Sequence, residues 1–186
     1  AAALAQPGAR VVYKPHPRVA ESDDSGVVAA HARIVRLIEA AAAADPDRGH
    51  AVLADADILG VIRATDVMIA DVSSVSLDHL YLRPEAPLLI TDRRSDRAQL
   101  LADAPVASGC PVIDQASVST LTADLAAVLA DDPHRERRHE LRDHYFDGLQ
   151  PGESTTRFWA ELRAAMSQHD QALRELRRTR IVEELS

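Results

Sequence analysis

The sequence predicts an α/β fold, a parallel sheet flanked by helices with a helical C-terminal tail. Three observations point there. Short apolar runs alternate with stretches of helical periodicity, the pattern of βα units. Two of these runs also end abruptly in polar residues. One is Val11-Val12-Tyr13-Lys14-Pro15-His16-Pro17, where an apolar run gives way to a cation, an imidazole and two rigid prolines. The other is Asp66-Val67-Met68-Ile69-Ala70-Asp71-Val72-Ser73-Ser74-Val75-Ser76-Leu77-Asp78, where an acid and two hydroxyls precede renewed helical spacing. A buried parallel strand delivers its chain to a helix N-terminus in this way, and the free N–H groups there suit a phosphate. Parallel strands present their carboxyl ends on one side, so the two polar ends are expected at one crevice with an anionic occupant.

The elements follow in order. The first strand spans Arg10 to Tyr13, and Pro15 and Pro17 prevent its continuation as helix. After a polar loop, Asp24 or Ser25 caps a helix running to about Ala44, with Val27, Ala30, Ile34, Leu37, Ile38 and Ala41 as its apolar stripe. Asp45-Pro46-Asp47-Arg48-Gly49 breaks it. A short strand from Ala51 to Leu53 leads to a helix over Ile58 to Ala64. The strand Val67 to Ala70 is followed by a helix from about Ser74 to Tyr81. Pro84 and Pro87 bound the strand Leu88 to Ile90, and Pro111 to Ile113 forms the last strand. The segment Asp92 to Gly109 is charged, then irregular, and receives no element. Helical patterns cover Val118 to Ala130, Pro133 to Tyr145 and Ser154 to the end. Pro151-Gly152 is the joint, which divides a domain at 1–150 from a helical extension at 151–186.

Composition narrows the function. A chain of 186 residues suits one α/β domain with an extension. Its formal charge of −8 argues against general nucleic-acid binding, which needs a net basic face. The single cysteine, Cys110, excludes an internal disulfide and suits a reducing compartment. No apolar run approaches the roughly 18 residues of a membrane span. The opening Ala-Ala-Ala-Leu-Ala reads as the last turn of a helix stopped by Gly8, so the sequence is expected to begin within a fold.

Lys14-Pro15-His16-Pro17, followed by Thr65 to Asp78, resembles the CDP-glycerol glycerophosphotransferase family of teichoic-acid and capsule-building enzymes. That family carries Lys-x-His-Pro after one strand and Asp-x-Ser-Ser-x-x-x-Asp after another. A Pro-bounded strand comes next, as Arg83-Pro84 to Ile90 provides, and a later Asp-Gly and Arg match Asp147-Gly148 and Arg157. The resemblance spans Val11 to about Arg157. It implies a GT-B fold of two Rossmann-like halves around a cleft, with this chain as the C-terminal, donor-binding half.

The implied enzyme moves glycerol phosphate, or another polyol phosphate, from a CDP-linked donor to a cell-wall or capsular polymer. Acceptor and base would come from the opposite half, so the chain alone is expected to be inactive. No cofactor is implied beyond the CDP-linked substrate, and no metal. The implied location is cytoplasmic, at the inner face of the membrane. Thr91 to Ser108 departs from the family pattern, with Arg93-Arg94-Ser95-Asp96-Arg97 and no aromatic. Two alternatives stay open. One is the donor domain of a GT-B glycosyltransferase or nucleotide-sugar epimerase; the other is a non-catalytic nucleotide-binding or scaffold module.

The resemblance gives each site residue a role. Ser73 and Ser74, with the N–H groups of their helix, would bind donor phosphate, and Lys14 would add a point charge. His16 would donate a hydrogen bond or a proton to the leaving phosphate. Asp78, one turn beyond Ser74, would orient a serine or bind a sugar hydroxyl. Each also has an ordinary interpretation: His16 as the cap of a strand end, Ser73 or Ser74 as an N-cap, Asp71 as the residue holding the turn.

The remaining polar residues suggest structural roles. His79 is expected at the surface or in packing. His134, His139 and His144 recur every five residues, share no face, and form no metal site. Arg135, Arg137, Arg138 and Arg142 alternate with acids as a solvated face. Arg93, Arg94 and Arg97 are expected in a solvated loop, with a nucleotide contact from one of them as the alternative. Cys110 has no base beside it and is read as structural. In the tail, Phe158, Leu162, Ala165, Met166, Leu173, Leu176 and Ile181 form an apolar stripe for an oligomer or interdomain contact, or for packing on its own domain.

Overall fold

Leu88, Leu89 and Ile90 are consecutive apolar residues, and all three are wholly buried. A strand hidden on both faces belongs inside a parallel sheet with helices over it. The computed structural model, which describes residues 1–19 and 21–184 with side chains to residue 178, places them so. They form β4 (Leu88–Thr91), the middle of a three-stranded parallel sheet between β3 (Met68–Ala70) and β5 (Val112–Ile113). The register pairs Met68 with Leu88 and Ile90 with Val112. A second parallel ladder joins β1 (Val12–Tyr13) to β2 (Ala51–Val52). Every ladder is parallel, so the connections β1–β2, β3–β4 and β4–β5 must be crossovers.

The helices are α1 (Ser25–Ala44), α2 (Ile58–Arg63), α3 (Ser74–Leu82), α4 (Arg97–Asp103), α5 (Leu121–Ala130), α6 (Arg135–Phe146) and α7 (Glu153–Glu184), of which α1, α3 and α4 supply the crossovers and α2 leads from one ladder to the other. The protein is thus mixed α/β, with seven α-helices and two small parallel sheets among the described residues. None of these helices is long and apolar enough to cross a membrane.

Local chemistry explains most element boundaries. The Asp24 carboxylate accepts from the N–H groups of Gly26 and Val27 and starts α1, while Asp57 does the same for α2 through Leu59 and Gly60. The segment that received no element from its pattern contains α4 and a 3-10 helix, Pro105–Gly109. Its signal was local: Asp96 stands three residues before Gln99 and accepts from the Gln99 N–H at 3.0 Å. At the start, Ala3–Ala5 is a 3-10 turn, and Gly8 follows at φ 71°. Gln6 fastens this segment by donating to the Thr122 carbonyl at 2.7 Å.

The solvated arginine face expected on α6 needs correction. Arg138 is wholly buried and Arg142 nearly so, with the Arg142 guanidinium 5.7 Å from the Tyr81 ring centre. Arg138 donates to the carbonyls of Pro84 (2.9 Å) and Gly109 (3.4 Å) and grips the Asp132 carboxylate with two nitrogens. Desolvation pushes the Asp132 carboxyl up, but the Arg138 hydrogen bond and charge outweigh it and hold the group below the usual range. Sequence alternation concealed this, because one helix face can carry charges into the interior when their partners arrive from elsewhere in the chain.

The chain divides into two compact units, Ala1–Tyr145 and Phe146–Ser186. In the second, Asp147 and Gly148 have left-handed backbones (φ 54° and 67°), and Arg157 donates to the Asp147 carboxylate at 2.7 Å. The tail helix expected from the sequence is α7; the Ile181 side chain lies outside the described residues.

Arg138→Ala should cost about 3–5 kcal/mol by leaving Asp132 and two carbonyls without their donor. A Cβ at Gly109 would meet Leu141 Cδ1 at 2.8 Å and Arg138 Cγ at 3.0 Å. Gly109→Ala should therefore lose roughly 1–3 kcal/mol by overpacking. Urea unfolding midpoints of the two variants check both values.

Candidate functional site

The turn between β3 and α3 carries the Asp-x-Ser-Ser sequence. Ser73 is the N-cap, extended at φ −150° and ψ 172°, yet its hydroxyl makes no capping bond. Its carbonyl instead accepts from Ser76, from the N–H at 3.2 Å and the hydroxyl at 2.6 Å. Buried Ser76, rather than Asp71, holds the turn. The Ser73 hydroxyl, the exposed Ser74 hydroxyl and the Ser74 and Val75 N–H groups thus have no partner among the described residues. Unfilled donors at a helix start favour an oxyanion. Asp78 lies half-buried one turn further along α3, without a bond to either serine among the described residues.

Beyond β1, Lys14 Nζ donates to the Ala54 carbonyl at 2.6 Å. That bond ties the β1 loop to the loop after β2 and uses one of the three ammonium hydrogens. His16 is exposed, and its Nδ1 accepts from the Arg18 N–H at 3.1 Å. The local bond orients the ring and leaves Nε2 as the group available to a ligand.

A cavity of about 440 Å³ opens where β1 ends. Tyr13, Val19, the first turns of α1 (Asp24, Val27, Ala30, His31, Ile34) and Arg93 line it. Arg93 follows β4, so the carboxyl ends of strands from both sheets reach this one space, as expected of a parallel α/β fold. The Tyr13 hydroxyl and His31 Nδ1 lie 3.1 Å apart, and burial raises the Tyr13 pKa. Aliphatic walls, a phenol–imidazole pair, the Arg93 guanidinium and the Asp24 carboxylate make a mixed lining that suits a small molecule with an apolar body and polar groups at its edge.

Arg93, expected in a solvated loop or at the nucleotide, is exposed at the cavity rim. Its neighbours have other tasks: Arg94 pairs with Asp103 at 3.1 Å, and buried Asp92 accepts from the N–H groups of Arg94 and Asp96. His31 was not singled out in the sequence, although its position was informative. Spaced four residues from Val27 and three from Ile34, it falls on the apolar stripe of α1.

The structure brings Tyr13, His31 and Arg93 together. Among the described residues, no hydrogen bond or ion pair joins the His16 loop to the Ser73–Ser74 turn, and β1 and β3 belong to different ladders. No group of three His, Cys, Asp or Glu side chains able to hold a metal ion occurs among the described residues. Cys110 is buried, donates to the Val106 carbonyl, and has its pKa pushed up to about 12 by burial, which makes it an inert thiol.

His79, next to Asp78, lies in the interior rather than at the surface. It is wholly buried, and neither ring nitrogen has a hydrogen-bond partner among the described residues. Burial is the main cause that lowers its pKa to about 4, aided by the Arg138 and Arg83 charges and opposed by Glu85.

Compared with known proteins, the chain matches no family model, no curated protein and no solved structure.

Because the folded imidazole resists protonation, the stability from neutral His79 is full above the unfolded pKa of about 6.5. It drains as pH falls toward the folded value of about 4. The expected loss across that window is roughly 2–3 kcal/mol. His79→Leu, which removes two unsatisfied buried polar atoms, should flatten this part of the profile, as chemical unfolding at stepped pH will show.

Proposed function

We propose that this chain is a Rossmann-like, donor-binding half of a GT-B transferase of the CDP-glycerol glycerophosphotransferase type. The observation that carries the proposal is the unfilled first turn of α3. Two N–H groups and two hydroxyls stand without partners at the end of the motif that resembles the family. The cavity at Tyr13, Asp24, His31 and Arg93 supports it by supplying space for a small molecule on the carboxyl side of the strands.

In the proposed reaction, an acceptor hydroxyl attacks the phosphorus that carries the glycerol. The phosphoanhydride bond breaks, CMP departs with the bonding electrons, and the hydroxyl proton passes to a base on the opposite half. Charge therefore grows on the CMP phosphate. Ser73, Ser74 and the α3 N–H groups would stabilise that charge where it develops. His16 Nε2 would donate to the same oxygens or deliver a proton to them. Asp78 would orient a serine or a sugar hydroxyl. The parent enzyme would act in the cytoplasm, at the inner membrane face, on a polyanionic cell-wall or capsule acceptor.

A second interpretation, a nucleotide-binding module without turnover, would use the same phosphate contacts, for which Lys14 keeps two ammonium hydrogens beyond its bond to the Ala54 carbonyl.

Calorimetric titration with CDP-glycerol, CDP-ribitol, UDP and UDP-sugars separates these cases. Cytidine ligands should bind in a salt-sensitive manner, and Ser73→Ala with Ser74→Ala should weaken them by roughly 1–3 kcal/mol. Undiminished affinity in that double variant would remove the phosphate-binding role. In a protein carrying both halves, His16→Ala should lower kcat far more than donor affinity. The present chain alone should transfer nothing, because the acceptor and base must be brought against the donor.

A further inference from the structure

The cavity at the end of β1 holds two opposite charges that do not pair. Asp24 and Arg93 both line it, no ion pair among the described residues joins them, and the whole lining lies in the larger unit. Asp24 is only half committed to the fold. Its Oδ1 accepts from the N–H groups of Gly26 (2.8 Å) and Val27 (3.3 Å), which starts α1. Asp24 Oδ2 and the Arg93 guanidinium have no partner among the described residues. In the same lining, Val19, Val27, Ala30 and Ile34 give aliphatic surface, and the Tyr13 and His31 ring centres stand 5.7 Å apart.

This combination fits one kind of ring. An ionised carboxylate only accepts hydrogen bonds, and a guanidinium only donates them. A flat ring lying on the aliphatic surface satisfies both when its edge carries an amino donor next to ring acceptors. Cytosine has that edge, with its N4 amine as donor and N3 and O2 as acceptors. Uracil is reversed at two of these three positions, because O4 faces the carboxylate and N3–H faces the guanidinium. Adenine shares the amine but offers one acceptor where cytosine offers two.

We propose that this cavity is the nucleobase pocket of the donor site, with Asp24 and Arg93 as the residues that select cytosine over uracil. The assignment rests on the reading of the chain as a binder of a CDP-linked donor and adds the base contacts to it. Asp24 Oδ2 accepts from the N4 amine, and Arg93 donates to N3 and O2. The Tyr13 hydroxyl and His31 Nδ1, 3.1 Å apart and engaged with each other, contribute ring surface. Helix capping makes Asp24 a decisive position. In Asp24→Asn the α1 N–H groups still need an acceptor, so the carboxamide oxygen stays on the cap and its NH2 group turns to the cavity. A donor then stands where an acceptor stood, which opposes the cytosine amine and matches uracil O4.

Titration of the whole chain with cytidine, uridine and adenosine, followed by amide NMR shifts, tests the pocket apart from the Ser73–Ser74 turn, because none of the three carries a phosphate. Cytidine should bind about tenfold more tightly than uridine or adenosine. Asp24→Asn should reverse the order of cytidine and uridine with an unchanged circular dichroism spectrum. Arg93→Met alters an exposed side chain without a fold contact among the described residues, and should weaken cytidine about tenfold. A cytidine-to-uridine ratio unmoved by Asp24→Asn would overturn the proposal, since the carboxylate would then touch no base. Undiminished cytidine affinity in Arg93→Met, equal affinity for adenosine, or a parent chain that binds no cytidine would overturn it as well. Inorganic pyrophosphate separates those results from failure of the functional reading. If the parent binds it and Ser73→Ala with Ser74→Ala does not, the phosphate turn stands whatever cytidine does.

Discussion

The buried Arg138–Asp132 pair is the interaction on which the rest of the larger unit depends. A guanidinium cannot enter a protein interior unless its donors are matched, because the cost of desolvating the charge otherwise exceeds what packing returns. Here the matches come from three places in the chain: the Pro84 carbonyl before β4, the Gly109 carbonyl before β5, and the Asp132 carboxylate beyond α5. One side chain of α6 therefore fixes the entry to two strands of the central sheet. Gly109 is part of the same arrangement, since only hydrogen leaves space beside Leu141 and Arg138. The apolar layer of Leu89, Ile113, Leu125 and Val128 then closes between sheet and helix.

That anchoring has consequences for α3. Its N-terminal turn faces solvent with donors unfilled, while in the next turn His79 is sealed in the core under the field of Arg138 and Arg83. One helix thus has an open, polar start and a buried end. The buried end is electrostatically tense: an imidazole with no hydrogen-bond partner among the described residues sits close to two cations, so it stays neutral. A helix held in this manner presents its first turn in a fixed attitude, which is what a phosphate site requires.

The proposed chemistry uses the same economy of parts. Strand ends supply position, backbone N–H groups supply the field, and a few side chains supply selectivity. The Tyr13–His31–Arg93 cavity extends this to the carboxyl ends of β1 and β4, and its phenol–imidazole contact stiffens the wall formed by α1. In the second unit, α7 has a different logic. Its stability cannot rest on a core of its own, since most of its large apolar residues face solvent.

Much of this molecule was legible in its sequence, because the governing forces there are local. Proline at 15, 17, 84, 87 and 111 marked strand limits through fixed φ and a missing donor. Asp24 announced α1 by capping chemistry, and the all-apolar run at Leu88 to Ile90 announced a strand buried on both faces. The Ser73–Ser74 turn was recognisable as a helix start. What sequence alone did not decide were the partners of charged and polar groups distant in the chain. Arg138 is separated from Pro84 by 54 positions, His31 from Tyr13 by 18. Lys14 meets a carbonyl 40 positions away. Alternating charges look the same whether they face water or a matched interior, and an imidazole on an apolar stripe looks the same whether packed or solvated. Periodicity determined which residues share a face; only the tertiary fold, by bringing distant donors and acceptors within 3 Å or so, decided which of those faces could be buried.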